Sequence, residues 1–441
     1  MARLFGTDGV RGVFGRDLTL DLAGALGAAT ARVLRAGGAE RPRLVVGRDT
    51  RASGRAIEDA FSEGALEAGA DILLAGVEPT PAIAFLTAST ASDAGVVISA
   101  SHNPPEYNGI KLFGRGGRKL ADATEAAIEA ALDVGDDGAS RGSILPFPDA
   151  EATYADHVVA CAEARLDGMR IVVDCANGAA SHVAPLALAA LGAEVHAIHV
   201  APDGSNINLG CGALHPEVVA AEVRRTGADA GVAFDGDADR ALFADRSGAV
   251  IDGDQVLAAC ALAMRGSGTL AGDTVVATVM ANLGFRIAMR EAGIRVLETP
   301  VGDRYVLEAM VANGANLGGE QSGHVIFLDE SPTGDGLLTA VRFLSLAARR
   351  SVGVDALAAA MARLPQVLVN VPVRDRAALA DAAQVWTAVH SAEADLGADG
   401  RILVRASGTE DLVRVMVEAT SAEAAARHAD TIAGIVRVAL G

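Results

Sequence analysis

The chain has 441 residues, of which 51% are hydrophobic and 3% are aromatic, and its formal net charge is −19. This length exceeds what one hydrophobic core supports, so we expect two to four domains. The negative charge and the few aromatic rings argue against nucleic acid or an anionic membrane surface as a partner. A small anionic substrate is compatible with this charge if Arg and Lys side chains cluster locally around it.

No stretch approaches the roughly 18 apolar residues that a membrane span needs. The first residues, MARLFGTDGVRGVFGRD, lack the apolar core of a signal peptide. The cysteines are scattered without a CxxC pair, so we expect reduced thiols and a cytoplasmic protein. They are Cys161, Cys175, Cys211 and Cys260.

Three segments repeat the order strand, polar turn, helix, glycine and strand. They begin at RLVVGRDT (43–50), RIVVDCAN (170–177) and DTVVATVMAN (273–282). A glycine follows each helix, where a positive φ costs this residue little. These glycines are Gly69, Gly192 and Gly293. The repetition predicts one α/β architecture used three times, as domain repeats rather than a solenoid.

Changes in composition place the domain boundaries. The polar segment VGDDGASRGSILPFPDAEA (134–152) separates the first unit from the second, and a hairpin-like turn at DRSGAVIDGD (245–254) leads into the third. From RLPQVLVNVPVRD (363–375) onward, strand-like runs and a helix-like end predict a small α+β domain. The predicted strands cover 367–373, 401–405 and 412–418. The predicted domains are 1–150, 151–253, 254–366 and 367–441.

The first segment whose residues could take part in binding or catalysis is VISASHNPPEYNGIKLF (97–113). Ser101 and His102 follow an apolar, strand-like run, and two prolines then restrict the backbone and forbid a helix. A serine on such a loop can be a nucleophile or a phosphate carrier. An Asn-Pro turn with a hydrogen-bonded serine explains the segment equally well.

The second is GVAFDGDADRALFAD (231–245), in which Asp235, Asp237 and Asp239 alternate after an apolar run. Three carboxylates this close repel one another unless a cation lies among them, and oxygen ligands suit Mg²⁺ or Mn²⁺. An EF-hand is excluded because Arg240 and Arg246 occupy the positions that need Gly and Glu. A solvated acidic turn and the nucleophile loop of an aspartate-dependent phosphatase are the alternatives.

The third is LGGEQSGHVIF (317–327), where Glu320, Ser322 and His324 alternate beside glycines before a predicted strand. Glycine allows a ligand to approach the backbone, and Glu and Ser can bind hydroxyl or amine groups. A hairpin that happens to carry polar side chains is the alternative.

The fourth is RILVRASGTEDLVRVMVEA (401–419), a polar bend between two strand-like runs. Loops of this composition bind phosphate through a guanidinium, hydroxyls and backbone N–H groups. A plain turn is the alternative, and Arg414 either joins the loop or flanks the strand. The candidate phosphate ligands are Arg405, Ser407, Gly408 and Thr409.

In this order the segments resemble the α-D-phosphohexomutase superfamily. The matching motifs are FGTDGVRG (5–12), SASHNP (99–104), DGDADR (235–240), GEQSGH (319–324) and RASGTE (405–410). They span nearly the whole chain. VGDRYV (301–306) is more similar to the branch that acts on glucosamine phosphates than to the glucose or mannose branches. A member that prefers glucose or mannose phosphates is the alternative.

The resemblance implies three similar α/β domains with mixed sheets plus a smaller C-terminal α+β domain, arranged around a central cleft. It implies interconversion of glucosamine 6-phosphate and glucosamine 1-phosphate through a phosphoserine and a 1,6-bisphosphate, for amino-sugar nucleotide synthesis. The expected partners are small-molecule sugar phosphates, with no nucleic acid and no membrane, for a monomer or a homodimer. A sugar-phosphate binding protein without activity would need no metal loop.

The resemblance also implies a role for each motif residue. Ser101 is the phosphorylated residue, and its phosphate shares one Mg²⁺ with Asp235, Asp237 and Asp239. The residues near the transferring phosphate are Arg11, His102 and Lys111, with Lys111 as a candidate proton shuttle. The residues implied to contact the substrate are Arg240, Arg304, Glu320, Ser322, His324, Arg405, Ser407, Gly408 and Thr409.

Two loops depart from the superfamily pattern. Ala406 and Asp411 stand where the phosphate loop usually has proline, so we expect a less rigid loop with an added negative charge. Ala238 stands where the metal loop usually has glycine, and we expect this position to demand less φ freedom.

Overall fold

The computed structural model describes residues 4–6, 9–135, 138–407 and 411–441. The chain divides into two compact units. Unit 1 comprises Met1–Met280 and Ile294–Ala360, and unit 2 comprises Ala281–Gly293 and Met361–Gly441. No helix in the described ranges is long and apolar enough to cross a membrane.

The first part of unit 1 is a six-stranded sheet with helices. Its strands are β1 (Val10–Val13), β2 (Arg43–Arg48), β3 (Asp71–Val77), β4 (Ala94–Ile98), β5 (Tyr107–Gly114) and β6 (Ile144–Pro146). Its helices are α1 (Leu20–Ala36), α2 (Gly54–Glu67), α3 (Thr80–Ser89), α4 (Asp122–Ala130) and α5 (Ala150–Ala160). The strand order is β1-β5-β4-β2-β3-β6. The sheet is mixed, because β2 pairs in parallel with β3 and β4, whereas β5 is antiparallel to β1 and β4.

Both faces of this sheet are buried, since neighbouring residues of a strand point to opposite faces. Val46 packs with Leu26 of α1 and Phe61 of α2. Its neighbour Val45 packs with Ile83 of α3 in a separate cluster. The result is a sheet between two helical layers.

The second part of unit 1 is a five-stranded sheet. Its elements are β7 (Arg170–Asp174), α6 (Ala180–Ala190), β8 (Glu194–Ile198), a 3₁₀ turn (Gly212–Leu214), α7 (Pro216–Thr226), β9 (Ala230–Phe234), β10 (Ala241–Asp245) and β11 (Val250–Ile251). The order is β11-β10-β9-β7-β8. β7 pairs in parallel with β8 and β9, and β9 pairs with β10 antiparallel, so the loop joining β9 to β10 is a hairpin connection.

The third part of the chain contributes a four-stranded sheet to unit 1. Its elements are α8 (Gly253–Ser267), a 3₁₀ turn (Ala271–Asp273), β12 (Thr274–Thr278), α9 (Leu283–Glu291), β13 (Arg295–Thr299), α10 (Asp303–Asn313), β14 (Leu317–Gly319), β15 (Val325–Phe327), α11 (Gly336–Arg350) and α12 (Val354–Ala358). The order is β13-β12-β14-β15. Helix α9 is the exception in this list, because it belongs to unit 2.

Unit 2 otherwise consists of the C-terminal segment. Its elements are β16 (Gln366–Pro372), a 3₁₀ helix (Arg376–Asp381), α13 (Ala383–Leu396), a 3₁₀ turn (Gly397–Asp399), β17 (Arg401–Ala406), β18 (Leu412–Glu418) and α14 (Ala422–Leu440). The strands form an antiparallel sheet in the order β16-β18-β17. The buried Glu418 carboxylate accepts hydrogen bonds from Asn282 Nδ2 at 3.0 Å and Leu283 N at 3.1 Å, which ties α9 to this sheet.

The predicted α/β repetition is confirmed. The strands on either side of the repeated helix pair in parallel in all three segments. The predicted hairpin and the three C-terminal strands are also present, whereas α13 was not predicted. The glycines that follow the helices have positive φ angles. The values are 88° at Gly69, 97° at Gly192 and 66° at Gly293.

Candidate functional site

Ser101 lies on the loop that follows β4, as predicted. Its φ of 51° is in the left-handed region, which a residue with a Cβ seldom adopts without support from its surroundings. The Ser101 N–H donates to Ser99 Oγ at 2.9 Å. Its hydroxyl donates to Asp235 Oδ2 at 2.7 Å and lies 3.3 Å from His102 Nδ1. The loop therefore directs the serine hydroxyl at the acidic triplet.

Asp235, Asp237 and Asp239 occupy the connection between β9 and β10, and all three are buried. The fully buried strand β9 brings them there, so the solvated acidic turn that we kept as an alternative is excluded. One oxygen from each carboxylate lies within 4.8 Å of the others. Asp237 Oδ1 and Asp239 Oδ1 are buried and accept no hydrogen bond from the described residues. This oxygen set fits a hard divalent cation.

The expectation for Ala238 is wrong. Its φ is 54°, so the loop still takes the left-handed turn between Asp237 and Asp239. A residue with a Cβ pays a conformational cost there that glycine would avoid. The loop accepts this cost because neighbouring chain segments hold it, including a hydrogen bond from Gly336 N to Ala238 O at 3.0 Å.

The pKa values of Asp235 and Asp239 are shifted in opposite directions. Burial, together with the charges of Asp239 and Asp237, raises the pKa of Asp235 well above its usual value. Burial also acts against the Asp239 anion, but His324, Lys111 and Arg240 overcome it and lower the pKa of Asp239. Lys111 Nζ lies 2.8 Å from Asp237 Oδ2 and 3.9 Å from Asp239 Oδ2.

Positive side chains surround Ser101 and the triplet. Burial lowers the pKa of His102 to about 4, and the charges of Arg240 and Arg11 lower it further, so this imidazole is neutral near pH 7. Burial opposes the charge of Arg240, yet the carboxylates of Asp239 and Asp235 raise its pKa. The cluster therefore combines a neutral imidazole with permanent positive charge.

The Glu320 loop directly adjoins the acidic loop. Ala241 N donates to Gly323 O at 3.1 Å, and His324 Nδ1 lies 3.7 Å from Asp239 Oδ2. Burial disfavours the imidazolium of His324, but Asp239 raises its pKa to about 9. Glu320 Oε1 accepts from Gly302 N at 3.1 Å, and Ser322 is exposed. The structure thus joins three of the predicted segments.

Arg304 makes contacts within the protein. Its guanidinium lies 2.6 Å from an oxygen of Asp122, 3.1 Å from Glu308 and 3.6 Å from Glu125. These carboxylates already balance its charge, and its role toward a substrate stays a prediction.

Two of the predicted phosphate ligands lie in unit 2. Arg405 is opposite Arg414 in the β17–β18 pair. Burial and then the Arg414 charge lower the pKa of Arg405. Ser407 is buried and its carbonyl accepts from Arg376 NH1 at 3.0 Å. Gly408 and Thr409 lie outside the described residues.

Three residues at this site were missed by the sequence reasoning. Thr80 Oγ1 donates to Asp237 Oδ2 at 2.6 Å, Arg51 NH2 donates to Ser101 O at 2.9 Å, and Asn208 Nδ2 donates to the same carbonyl at 2.9 Å. A signal for Arg51 exists, because it follows β2, and β2 runs parallel to the strand that precedes Ser101. The carboxyl ends of parallel strands lie at one edge of a sheet, where ligands bind.

Gly236 permits the close approach of these loops. A Cβ at this position would lie 2.7 Å from both Ser101 O and Asn208 Nδ2. Any other residue would therefore push the Ser101 loop away from the triplet.

A second group of residues that could bind a metal lies near the end of β7. Asp174, His199 and Cys211 bring one ligand atom each within 4.8 Å of one another. The oxygens of Asp174, however, accept the N–H groups of Ala176 and Gly212, both at 3.0 Å. This carboxylate braces two loops, which accounts for its burial without a metal.

Four domain models of one family match consecutive parts of the chain. They are described as phosphoglucomutase/phosphomannomutase alpha/beta/alpha domains I, II and III and C-terminal domain, and match residues 2–138, 152–248, 252–364 and 368–435. The chain belongs to the phosphoglucomutase/phosphomannomutase family. Three of its domains are α/β with mixed sheets, and a smaller α+β domain ends the chain, as expected from the sequence.

Other members of the family are similar over nearly their full length. A "Phosphoglucosamine mutase" of Rhodococcus erythropolis is 53% identical over 442 residues, covering 99% of each chain. One of Mycobacterium sp. (strain KMS) is 54% identical over 438 residues, covering 98% of each chain. Among solved structures, a phosphoglucomutase/phosphomannomutase family protein of Burkholderia thailandensis has a TM-score of 0.84 at 27% identity, covering 99% of this chain and 97% of its own.

Proposed function

We propose that the chain interconverts glucosamine 6-phosphate and glucosamine 1-phosphate through a phosphorylated Ser101 and a 1,6-bisphosphate intermediate. The observation that carries this proposal is the hydrogen bond from Ser101 Oγ to Asp235 Oδ2, at 2.7 Å, which joins the serine to the acidic triplet. Relatives at 51–54% identity bear the name phosphoglucosamine mutase, which favours glucosamine phosphates over the alternative glucose or mannose phosphates.

In the proposed first transfer, the bond between phosphorus and Ser101 Oγ breaks and a bond forms from phosphorus to the free sugar hydroxyl. In the same step that hydroxyl loses its proton and Ser101 Oγ gains one. After the bisphosphate has turned around, the reverse step returns the other phosphoryl group to Ser101. The neutral His102 and the ion-paired Lys111 are the candidates for moving the proton, with Arg11 beside the phosphoryl group.

We assign the divalent cation as one Mg²⁺, held by the Ser101 phosphate and the three aspartates. Oxygen donors alone suit this ion, and the assignment is supported by Asp237 Oδ1 and Asp239 Oδ1, which accept no hydrogen bond from the described residues. When bound, such an ion neutralises charge on a phosphoryl group in transit. The permanent charges of Arg240 and Lys111 lie against the same carboxylates and serve the same purpose.

We propose that unit 2 holds the phosphate that is not reacting, through Arg405, Ser407, Gly408 and Thr409. Arg405 and Arg414 are cross-strand neighbours, so two guanidinium groups lie side by side on this sheet. Guanidinium groups bind phosphate through charge-assisted hydrogen bonds. We assign contacts with the sugar to Glu320, Ser322 and His324. Arg240 and Arg304, which belong to two other motifs, are proposed as further substrate contacts. We also propose the domain boundaries 1–150, 151–253, 254–366 and 367–441, which would give each domain one motif.

Intact-mass analysis and peptide mapping of the purified protein test the proposal. We expect an acid-stable phosphate on Ser101 and loss of turnover in Ser101→Ala. A labile acyl phosphate on Asp235 would instead support the phosphatase alternative. Turnover of glucosamine, glucose and mannose phosphates side by side tests the substrate, and a preference for either of the latter two would refute the assignment to glucosamine.

A further inference from the structure

Thr80 is the first residue of α3, and it makes two hydrogen bonds to one aspartate of the acidic triplet. Its side chain is buried, with 3% of the residue exposed. Thr80 Oγ1 donates to Asp237 Oδ2 at 2.6 Å, and Thr80 N donates to Asp237 O at 2.9 Å. A single residue therefore holds both the backbone and the carboxylate of Asp237, from a segment 157 residues away.

The two carboxylate oxygens of Asp237 differ in the hydrogen bonds that they accept. Oδ2 accepts from Thr80 Oγ1 and also from Lys111 Nζ, at 2.8 Å. Oδ1 is buried and accepts nothing from the described residues. Two donors on the same oxygen fix the plane of the carboxylate, and they leave the lone pairs of Oδ1 available to a ligand beside Asp235 and Asp239.

We propose that Thr80 is a positioning residue for the divalent-cation site, whose hydroxyl orients Asp237 so that Oδ1 can bind the ion. This inference rests on the proposed function only in assuming that the acidic triplet binds a cation. Partners that orient ligands from behind contribute to metal affinity without touching the metal.

Thr80 suits this task better than Lys111 does. The lysine supplies charge on a flexible stem, whereas a β-branched side chain has few rotamers. The backbone bond from Thr80 N to Asp237 O fixes the threonine relative to the aspartate before its hydroxyl acts. Thr80 thus fixes the orientation of the Asp237 carboxylate without changing the net charge of the site.

A purely structural role makes a different prediction. If Thr80 only fills space at the start of α3, then Thr80→Val should behave like the parent, because valine has nearly the same shape and keeps the backbone N–H. Thr80→Ser keeps the hydroxyl but removes a methyl group, so the two variants separate hydrogen bonding from packing. Thr87→Val is a matched control, since Thr87 is buried on the same helix and its hydroxyl bonds to Ile83 O.

The measurement is the Kd of Mn²⁺, by electron paramagnetic resonance, for the full chain without any sugar phosphate. We expect Thr80→Val to raise this Kd about 10- to 100-fold, as is typical for loss of a partner that orients a ligand. Thr80→Ser should stay close to the parent, and so should Thr87→Val. At saturating Mn²⁺ the valine variant should recover its kcat, with KM for the sugar phosphate unchanged.

Several results would overturn the proposal: an unchanged Mn²⁺ Kd in Thr80→Val, equal weakening in the valine and serine variants, or a parent that binds no Mn²⁺. If Thr80→Val does not fold, Thr80→Ala removes the same donor and is held to the same criterion. Mn²⁺ binding needs no turnover, so an inactive parent that binds Mn²⁺ would refute the mutase assignment and leave the role of Thr80 standing.

Discussion

Arg51→Lys should slow phosphoryl transfer at Ser101. Arg51 is buried, with 1% exposed, and its Nε donates to Asp49 Oδ2 at 2.8 Å. The rest of its guanidinium donates to main-chain carbonyls of the loop that carries Ser101. These acceptors are Ser101 O at 2.9 Å, Asn103 O at 2.8 Å, Pro104 O at 2.5 Å and Tyr107 O at 2.9 Å. One cation therefore holds the backbone around a serine with a left-handed φ.

The magnitude follows from counting donors. Lysine keeps the positive charge beside Asp49, but its three N–H groups leave one atom and cannot span the acceptors that five guanidinium N–H groups reach. At least two of the four loop bonds should be lost, at about 0.5–1.5 kcal/mol each, or about 1–3 kcal/mol in total. If this energy holds Ser101 in its reactive position, transfer should slow about 5- to 150-fold.

The assay is a single turnover by rapid quench, starting from protein phosphorylated on Ser101. We expect a slower transfer, and in the unphosphorylated protein an unchanged Kd for Mn²⁺, because the aspartates lie on another loop. Arg342→Lys is the control, since this arginine contacts Glu163 and Glu330 instead of the Ser101 loop. The reasoning is refuted if Arg51→Lys transfers as fast as the parent while only its thermal stability falls.

Three further changes test separate parts of the site. Asp237→Asn should weaken Mn²⁺ binding by more than about tenfold, since an anionic ligand becomes neutral; an unchanged Kd would place the cation elsewhere. Burial raises the pKa of Glu78 from 4.5 to about 8, so the folded state binds this proton more tightly and stability falls as pH rises through that window. Glu78→Gln should gain stability over the parent across the same window in denaturant titrations, and a pH-independent difference would contradict this. Arg405→Ala should raise KM about 10- to 100-fold, from the loss of about 1.5–3 kcal/mol, with Ser101 still phosphorylated; an unchanged KM would remove Arg405 from the phosphate site.

Local chemistry in the sequence was enough to predict the acidic triplet as a candidate metal site but not the residues that contact it from other elements. Asp235, Asp237 and Asp239 occupy alternate positions of one short segment, so their spacing and apolar flanks indicate a site. Thr80 meets Asp237 only because α3 and the β9–β10 connection come together in the fold. Contacts of this kind leave no periodic pattern in the sequence, so the role of Thr80 could not be predicted from it.

The fold class was predictable from the sequence, but the unit to which helix α9 belongs was not, because tertiary contacts decide it. The third α/β segment reads like the other two, and its flanking strands do pair in parallel. Its helix α9 nevertheless belongs to unit 2, where Glu418 caps its first turn through Leu283 N and also holds Asn282. Ala238 is a similar case, because substitution of a usual glycine suggested an ordinary φ, while the surrounding loops impose a left-handed one.

The burial of the acidic triplet is itself part of the chemistry. Lys111 and His324 keep the Asp239 carboxylate ionised, but burial and its two neighbours raise the pKa of Asp235. The positive side chains of the protein therefore neutralise only part of the negative charge of the triplet. A phosphate on Ser101 would add about −1.5 to −2 charges beside Asp235. In water this repulsion would be screened, but the three aspartates are buried, so a divalent cation would complete the charge balance.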